Sequence, residues 1–248
     1  MKKVDVILGL QWGDEGKGKV VDVLTPRYEV VARFQGGPNA GHTLEFNGEK
    51  YVLRSIPSGI FQGGKTNIIG NGVVIDAILF REEAEALAAS GHDLTKQLCI
   101  SKKAHLILPT HRMLDAAYEA AKGSAKIGTT GKGIGPTYTD KVSRNGMRVG
   151  DLLSPDFESI YAAAKARHEK ILKSLDYRYD ITELEKQWFE AVIPVVVPGN
   201  TTLTNCRGFP SAASVTRPRT RVVCAETPAA QRSPARSMII RCVMIGQM

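Results

Sequence analysis

The first residues that could do chemistry lie in the glycine-rich segment Gly9–Lys19, which contains the spacing G-x-x-x-x-G-K. Glycines in this pattern let backbone N–H groups converge on phosphate oxygens, and a following helix adds the partial positive charge of its N-terminus. The next residue is Val20, where loops of this spacing usually carry the Ser or Thr that holds Mg²⁺. Asp14 is therefore the candidate for metal binding or proton transfer, because a carboxylate beside phosphates otherwise only repels them. Taken alone, the loop could equally be a surface turn.

Two more segments have the composition of anion-binding loops. Phe34–Thr43 is glycine-rich and carries a single histidine, His42. The small residues around His42 could hardly bury it, which favours a role as an acid or as a hydrogen-bond donor to phosphate. Ile127–Tyr138 combines four glycines with threonines and a lysine. Three phosphate-type loops exceed what one nucleotide needs, and they predict two phosphorylated ligands.

The elements that would position these loops are those of an α/β fold. A short apolar strand, a glycine-rich loop and a helix follow one another at the N-terminus, which predicts a largely parallel mixed sheet with flanking helices. Asn47-Gly48 predicts a hairpin turn, and Asp76 predicts the N-cap of a helix. We expect strands at 4–10, 29–34, 44–46, 50–53, 67–69, 98–101 and 104–108, helices near 20–24 and at 77–89, 111–122, 157–175 and 181–192, and a long loop at 123–141.

Composition excludes several other classes of protein. The 248 residues are 43% hydrophobic and 23% charged, which is typical of a globular chain. No apolar run reaches the roughly 18 residues of a membrane helix, and Asp5 interrupts the first apolar stretch. We therefore expect no membrane span, no signal peptide and a cytoplasmic location. Four cysteines without C-x-x-C spacing predict neither a disulfide framework nor a structural zinc site.

The positive charge is concentrated at the C-terminal end. The whole chain carries +8, but Ile193–Met248 holds seven arginines, no lysine and one acid, Glu226, and so accounts for +6. This segment also contains three of the four cysteines and shows no helical or strand periodicity, which predicts a disordered basic tail. Such a tail could bind RNA or an acidic partner. Its composition favours instead a shifted reading frame through G+C-rich DNA, which sequencing the source DNA near codon 193 would reveal.

Six segments occur in the same order in the adenylosuccinate synthetases, and from about residue 3 to about residue 192 the chain resembles that family. The segments are WGDEGKGK, QGGPNAGHT, IPSGI, IIGNGVV, IGTTGKGIGP and KVSRNGMRVGDL. The resemblance implies a nucleotide site related to that of P-loop GTPases, in a homodimeric enzyme. It also implies a Mg²⁺-dependent, GTP-dependent ligation of L-aspartate to IMP through 6-phosphoryl-IMP in purine biosynthesis.

The resemblance also implies roles for individual residues. Asp14 would be the general base at N1 of IMP and a Mg²⁺ ligand, His42 the acid that assists phosphoryl transfer, and the Gly41 carbonyl a second Mg²⁺ ligand. Lys17 would contact the transferring phosphoryl group, Thr130 would lie near the IMP 5′-phosphate, and Arg144 would reach IMP in the partner subunit. The implied GTP-binding residues are Gly13, Asp14, Glu15, Gly16, Lys17, Gly18, Lys19, Gly41, His42 and Thr43. The implied IMP-binding residues are Asp14, Glu15, Gly16, Lys17, Asn39, Ala40, Gly41, His42, Thr130 and Arg144.

Members of the family are considerably longer than this chain. Their guanine-recognition segment, aspartate-binding loop and further IMP contacts have no counterpart in Ile193–Met248. We therefore expect a GTP/IMP-binding domain over 1–192 with an unrelated tail over 193–248, and a chain that is inactive alone and poorly soluble because strands near the N-terminus lack cover. Two alternatives are a stand-alone GTP-binding module, against which Val20 counts, and a nucleic-acid-binding tail, against which a single tail aromatic counts. We expect no nucleic-acid partner.

Overall fold

The computed structural model describes residues 3–9, 16–39, 41–46, 48–126, 128–196 and 241–246. These residues form an α/β fold with one six-stranded sheet and one separate hairpin. The strands are β1 (Lys3–Leu8), β2 (Val30–Gly36), β3 (His42–Phe46), β4 (Glu49–Leu53), β5 (Thr66–Asp76), β6 (Leu98–Ile100), β7 (His105–Ile107) and β8 (Arg241–Gly246). The helices are α1 (Lys17–Leu24), α2 (Ala77–Ala89), α3 (Leu94–Gln97), α4 (Pro109–Ala121), α5 (Ile134–Val142), α6 (Phe157–Ser174) and α7 (Thr182–Val196).

The main sheet has the order β1-β8-β2-β5-β6, and β7 pairs with the C-terminal part of β5. All of its described strand pairs are parallel. Both β1 and β2 pair with β8, so the loops that follow β1 and β2 leave the sheet at the same edge. The expected α/β class with a largely parallel sheet is confirmed, as is the antiparallel hairpin of β3 and β4.

The larger hydrophobic core packs β5, β6 and β7 against α2, α6 and α7. At its centre Trp188 is 2% exposed, and its ring centroid lies 5.1 Å from that of Tyr161. The indole N–H of Trp188 donates to the carbonyl oxygen of Ile107 at 2.9 Å, which satisfies the one polar atom of this side chain. Asp76 caps α2 as predicted, since its Oδ1 accepts the N–H groups of Ile78 and Leu79.

The opposite end of the sheet is much less covered. A small cluster of Val21, Tyr28 and Val31 joins α1 to β2. On β1, Val4 and Val6 are 52% and 54% exposed, and Val23 of α1 is 74% exposed. Alternate residues of a strand share one face, so an apolar face of β1 lies open to solvent within the described part of the chain. Among the described residues, β1 therefore shows the lack of cover expected near the N-terminus.

The long loop expected at 123–141 is wrong in its second half, because Ile134–Val142 forms helix α5. Glycine and proline content argued against a helix here. Pro136, however, lies in the first turn, where a missing N–H costs no intrahelical hydrogen bond. The Tyr138 and Asp140 side chains then fasten the helix to its neighbours.

The expectation that residues 193–248 contain no folded element is also wrong, at two places. Helix α7 continues to Val196, and Arg241–Gly246 is the strand between β1 and β2. Backbone pairing on both sides stabilises β8 although its sequence carries no turn signal or long periodic pattern. The remainder of this segment lies outside the described residues. None of the described helices combines the length and the apolar composition that a membrane span requires.

Candidate functional site

The first and second glycine-rich loops meet where His42 packs on α1. Helix α1 begins after Gly16, which has φ 74°, and a Cβ atom placed on Gly18 would lie 2.5 Å from Cδ2 of His42. Only glycine therefore allows the imidazole to approach the first turn of α1 this closely. The structure thus brings together Gly16, Lys17, Gly18, Lys19, Gly41, His42 and Thr43, seven of the ten residues expected to bind GTP.

The imidazole of His42 has an unsatisfied polar atom that could bind an anion. Its Nε2 atom is buried and has no hydrogen-bond partner among the described residues. Burial, assisted by the charge of Arg33, lowers the pKa of His42 to about 4, so the ring is neutral near pH 7. A buried polar atom without a partner is costly. A phosphate oxygen placed beside Nε2 would remove that cost.

The second loop is anchored from below by the buried side chain of Arg33 on β2. Its Nη2 donates to the carbonyl oxygen of Gly37 at 2.7 Å, and its Nη1 donates to the carbonyl oxygen of Arg54. One guanidinium therefore connects the loop that carries His42 with the segment that follows β4. A charged residue in the otherwise apolar run of β2 was the sequence signal for this role.

The segment after β4 is held in turn by Glu83 of α2. The Glu83 carboxylate accepts backbone N–H groups of Arg54, Ser55 and Ile56 at 2.8 to 3.3 Å. Burial raises the pKa of Glu83, and these three backbone donors oppose the shift. Glu83 thus explains the conformation at Ser55–Ile60, where the sequence indicated only a tight turn.

Lys132 joins the third glycine-rich loop to the second. Its Nζ donates to the carbonyl oxygens of Pro38 and Asn39 at 3.0 and 3.2 Å. Asn39 and Thr130, both expected to bind IMP, are exposed on the two loops that Lys132 connects. Desolvation lowers the pKa of Lys132, the charges of Arg54 and Arg112 add to this shift, and the charge of Asp76 opposes it.

Tyr138 ties α5 to the start of the second loop. The register of β2 against β5 shifts between Arg33 and Gln35. Beside this irregularity, the N–H of Gly36 donates to the Tyr138 hydroxyl oxygen, and that hydroxyl donates to the carbonyl of Gly72, both at 2.9 Å. The hydroxyl therefore replaces ladder hydrogen bonds that the irregular pairing leaves unmade.

Arg144 is separated from the rest of these residues. It follows the C-terminus of α5, whereas Thr130 precedes the N-terminus of that nine-residue helix, which is about 13 Å long at 1.5 Å per residue. Arg144 is exposed and has φ 63°. Four expected site residues, Gly13, Asp14, Glu15 and Ala40, lie outside the described part of the chain.

Comparison with known proteins identifies the family of this chain. A family model described as Adenylosuccinate synthetase matches residues 6–206. The chain belongs to this family. The match continues past residue 192, where we expected the resemblance to the family to end. The adenylosuccinate synthetase of Parabacteroides distasonis is 83% identical over 190 residues, and that of Porphyromonas gingivalis is 77% identical over 192 residues.

Both alignments cover 77% of this chain and 45% of the relative. The chain thus spans a little less than half the length of these curated synthetases. The structure of a fully ligated adenylosuccinate synthetase from Plasmodium falciparum is similar with a TM-score of 0.67 at 35% identity, over 77% of this chain and 45% of that one. A cyanophage S-2L succinoaminodeoxyadenylate synthetase, bound to dGMP and to dATP as energy donor, gives a TM-score of 0.51 at 28% identity, over 64% and 44%.

Proposed function

We propose that this chain carries the phosphate-binding half of an adenylosuccinate synthetase and does not turn over alone. The complete reaction joins L-aspartate to IMP at the expense of GTP, in the cytoplasm and in a homodimer. The observation that carries the proposal is the contact of His42 with Gly18, which places an unpartnered buried Nε2 at the N-terminus of α1.

In this proposal His42 becomes an acid only when phosphate is bound. The free imidazole is neutral because burial and Arg33 disfavour its charge. The negative charge of a triphosphate beside Nε2 would raise the pKa of His42 toward neutrality, so that the ring could donate a proton to the transferring group. The site would thus generate its acid from its own substrate.

Asp14 would remove the N1 proton of IMP while the 6-oxygen attacks the γ-phosphorus of GTP and GDP leaves. The amine of aspartate would then displace phosphate from C6. Mg²⁺ would be held by Asp14 and by the carbonyl of Gly41, whose backbone is exposed at the end of the second loop, and it would neutralise phosphate charge. Positions Asn39 and Thr130, held together through Lys132, would contact IMP.

The test is a fusion of residues 1–192 to the remaining part of the Parabacteroides distasonis relative. We expect no adenylosuccinate from the 248-residue chain with IMP, GTP, aspartate and Mg²⁺, and restored turnover in the fusion. Asp14→Asn in the fusion should abolish turnover and leave GTP affinity nearly unchanged. Turnover by the 248-residue chain alone would contradict the claim that it is half a site, and turnover by the Asp14→Asn fusion would refute the role of Asp14 as base.

A further inference from the structure

Helix α5 ends at Arg144 in a turn that normally requires glycine. The N–H of Asn145 donates to the carbonyl of Asp140 at 2.9 Å, and the N–H of Arg144 donates to that of Lys141 at 3.3 Å. These two hydrogen bonds define a Schellman motif, in which Arg144 occupies the left-handed position with φ 63°. An L-residue with a long side chain is disfavoured there, so neighbouring contacts must hold it in place.

Asp140 supplies much of that restraint through its own side chain. Its Oδ2 accepts from Nε2 of His111 at 3.2 Å and from Nε2 of His168 at 2.9 Å. Both histidine side chains are almost completely buried, at 0% and 1% exposure. Asp140 therefore fastens the end of α5 to α4 and to α6 at once, while its main-chain carbonyl closes the turn at Asn145 and Gly146.

This cluster of His111, Asp140 and His168 has the spacing of a metal site, but its hydrogen bonds argue against one. The N–H of Leu108 donates to Nδ1 of His111 at 2.9 Å. Nδ1 is thus an acceptor, and the proton of the neutral ring lies on Nε2, the atom that would have to bind the metal. The geometry instead provides the partly buried Asp140 carboxylate with two N–H donors.

A second contact fixes the turn from the other side. Nη2 of Arg167 on α6 donates to the carbonyl of Asn145 at 2.6 Å. The backbone around Arg144 is thus bonded on both flanks while the residue itself stays exposed. A costly conformation restrained from two sides and presented outward is the pattern of a residue placed for a ligand.

We propose that Asp140 is a positioning residue, which through its two histidines holds Arg144 in the left-handed conformation that presents the guanidinium to a phosphorylated ligand. The identity of that ligand as IMP in a partner subunit rests on the proposed function.

The experiment is a double-mutant cycle, read by urea unfolding of the full chain and by calorimetric titration with IMP of the fusion described above. Arg144→Gly should lower the unfolding equilibrium constant about fivefold, because glycine adopts the left-handed conformation without steric cost. In an Asp140→Ala background the turn can relax, so the stability gain from Arg144→Gly should correspond to less than a twofold change in the unfolding equilibrium constant. Asp140→Asn should restore much of it, since an amide oxygen can still accept from both rings. Asp93→Ala, which removes a carboxylate that caps α3, is the matched control and should leave the gain unchanged.

The IMP titration distinguishes the two proposals. Arg144→Gly and Asp140→Ala should each weaken IMP binding about tenfold, and the double variant should lose little more than either. Equal stabilisation by Arg144→Gly with and without Asp140 would overturn the positioning role, whatever IMP does. Unchanged IMP affinity in the Arg144→Gly fusion, with the stability coupling intact, would refute the ligand and leave the positioning role. Should Asp140→Ala not fold, faster amide exchange at Asn145 and Gly146 in Asp140→Asn supports the role, and unchanged exchange overturns it.

Discussion

The two glycine-rich loops that meet at His42 are supported very differently. The loop after β2 is fastened by Arg33 below it, by Lys132 beside it and by Tyr138 at its start. The loop after β1 follows a strand whose apolar face is half exposed and whose only strand partner in the described structure is β8. One side of the site is therefore built into a packed core. The other depends on β8, which lies outside the glycine-rich segments and the core that packs around β5.

The strongest way to sharpen this contrast is to remove β8. A chain that stops at residue 236 should leave β1 without a strand partner, and the amides of Lys3–Leu8 should exchange with solvent at least tenfold faster. Helix α6 packs far from this edge, and its exchange should not change, which makes it the internal control. Hydrogen-exchange mass spectrometry decides the matter. Unaltered protection of β1 would show that another segment covers it.

The packed side can be broken at Glu83. Glu83→Ala would leave three buried or partly buried backbone donors without an acceptor and would remove a negative charge that favours the charged form of Arg33, and it should cost about 3 kcal/mol of unfolding free energy. Glu82→Ala, at an exposed position on the same helix, should stay within about 0.5 kcal/mol. Urea unfolding measures both. A small effect of Glu83→Ala would mean that this half of the site is not fastened through α2.

The contact of His42 with α1 should make the free energy of unfolding depend on pH. The pKa of His42 is about 4 in the folded chain and about 6.5 when unfolded, so below pH 6.5 the unfolded state binds a proton that the folded state does not. Stability should thus fall as the pH is lowered from 6.5 to 4. His42→Gln should remove about 2 kcal/mol of that fall. Burial also lowers the pKa of His105 to about 4, so the part of the pH dependence that comes from His105 should remain in this variant. An identical pH profile in His42→Gln would show that the ring is not buried against α1.

The smallest expected effect belongs to Lys132. Lys132→Ala removes two hydrogen bonds to the carbonyls of Pro38 and Asn39 at a partly exposed position, and should cost about 0.5–1 kcal/mol. Lys126→Ala, on the same connection but exposed, should cost nothing measurable. Urea unfolding compares the two variants. A loss above about 2 kcal/mol would mean that Lys132 supports more than the loop contact.

Much of this architecture could be predicted from sequence because its signals are local. Apolar runs, the hairpin turn and the Asp76 cap each depend on residues close together in the chain, and all were confirmed. Helix α5 was missed because its Gly and Pro content suggested a loop, whereas Tyr138 and Asp140 stabilise it through residues distant in sequence. Strand β8 was missed for the same reason, since only its two neighbours define it.

The candidate site shows the same division. His42, Gly18 and the lysines of the first loop were recognisable by type and spacing. Arg33, Glu83 and Lys132 were not assigned roles, because each acts on backbone carbonyl or N–H groups of other segments, and such groups leave no signature in side-chain type. The sequence therefore indicates candidate ligand-binding residues better than it indicates the residues that hold those candidates in place.

The pairing of β1 with β8 has a consequence for synthesis. Lys3 pairs with Arg241 and Leu8 with Gly246, so 238 positions separate the paired residues of β1 and β8, and β1 can pair with β8 only after the intervening chain has been translated. Until then its alternating valines are exposed to other nascent chains, while β2, β5 and the helices can already assemble. Slow translation lengthens the time for which β1 is unpaired. It should therefore lower the soluble yield of this chain more than that of a chain whose strands pair with near neighbours in sequence.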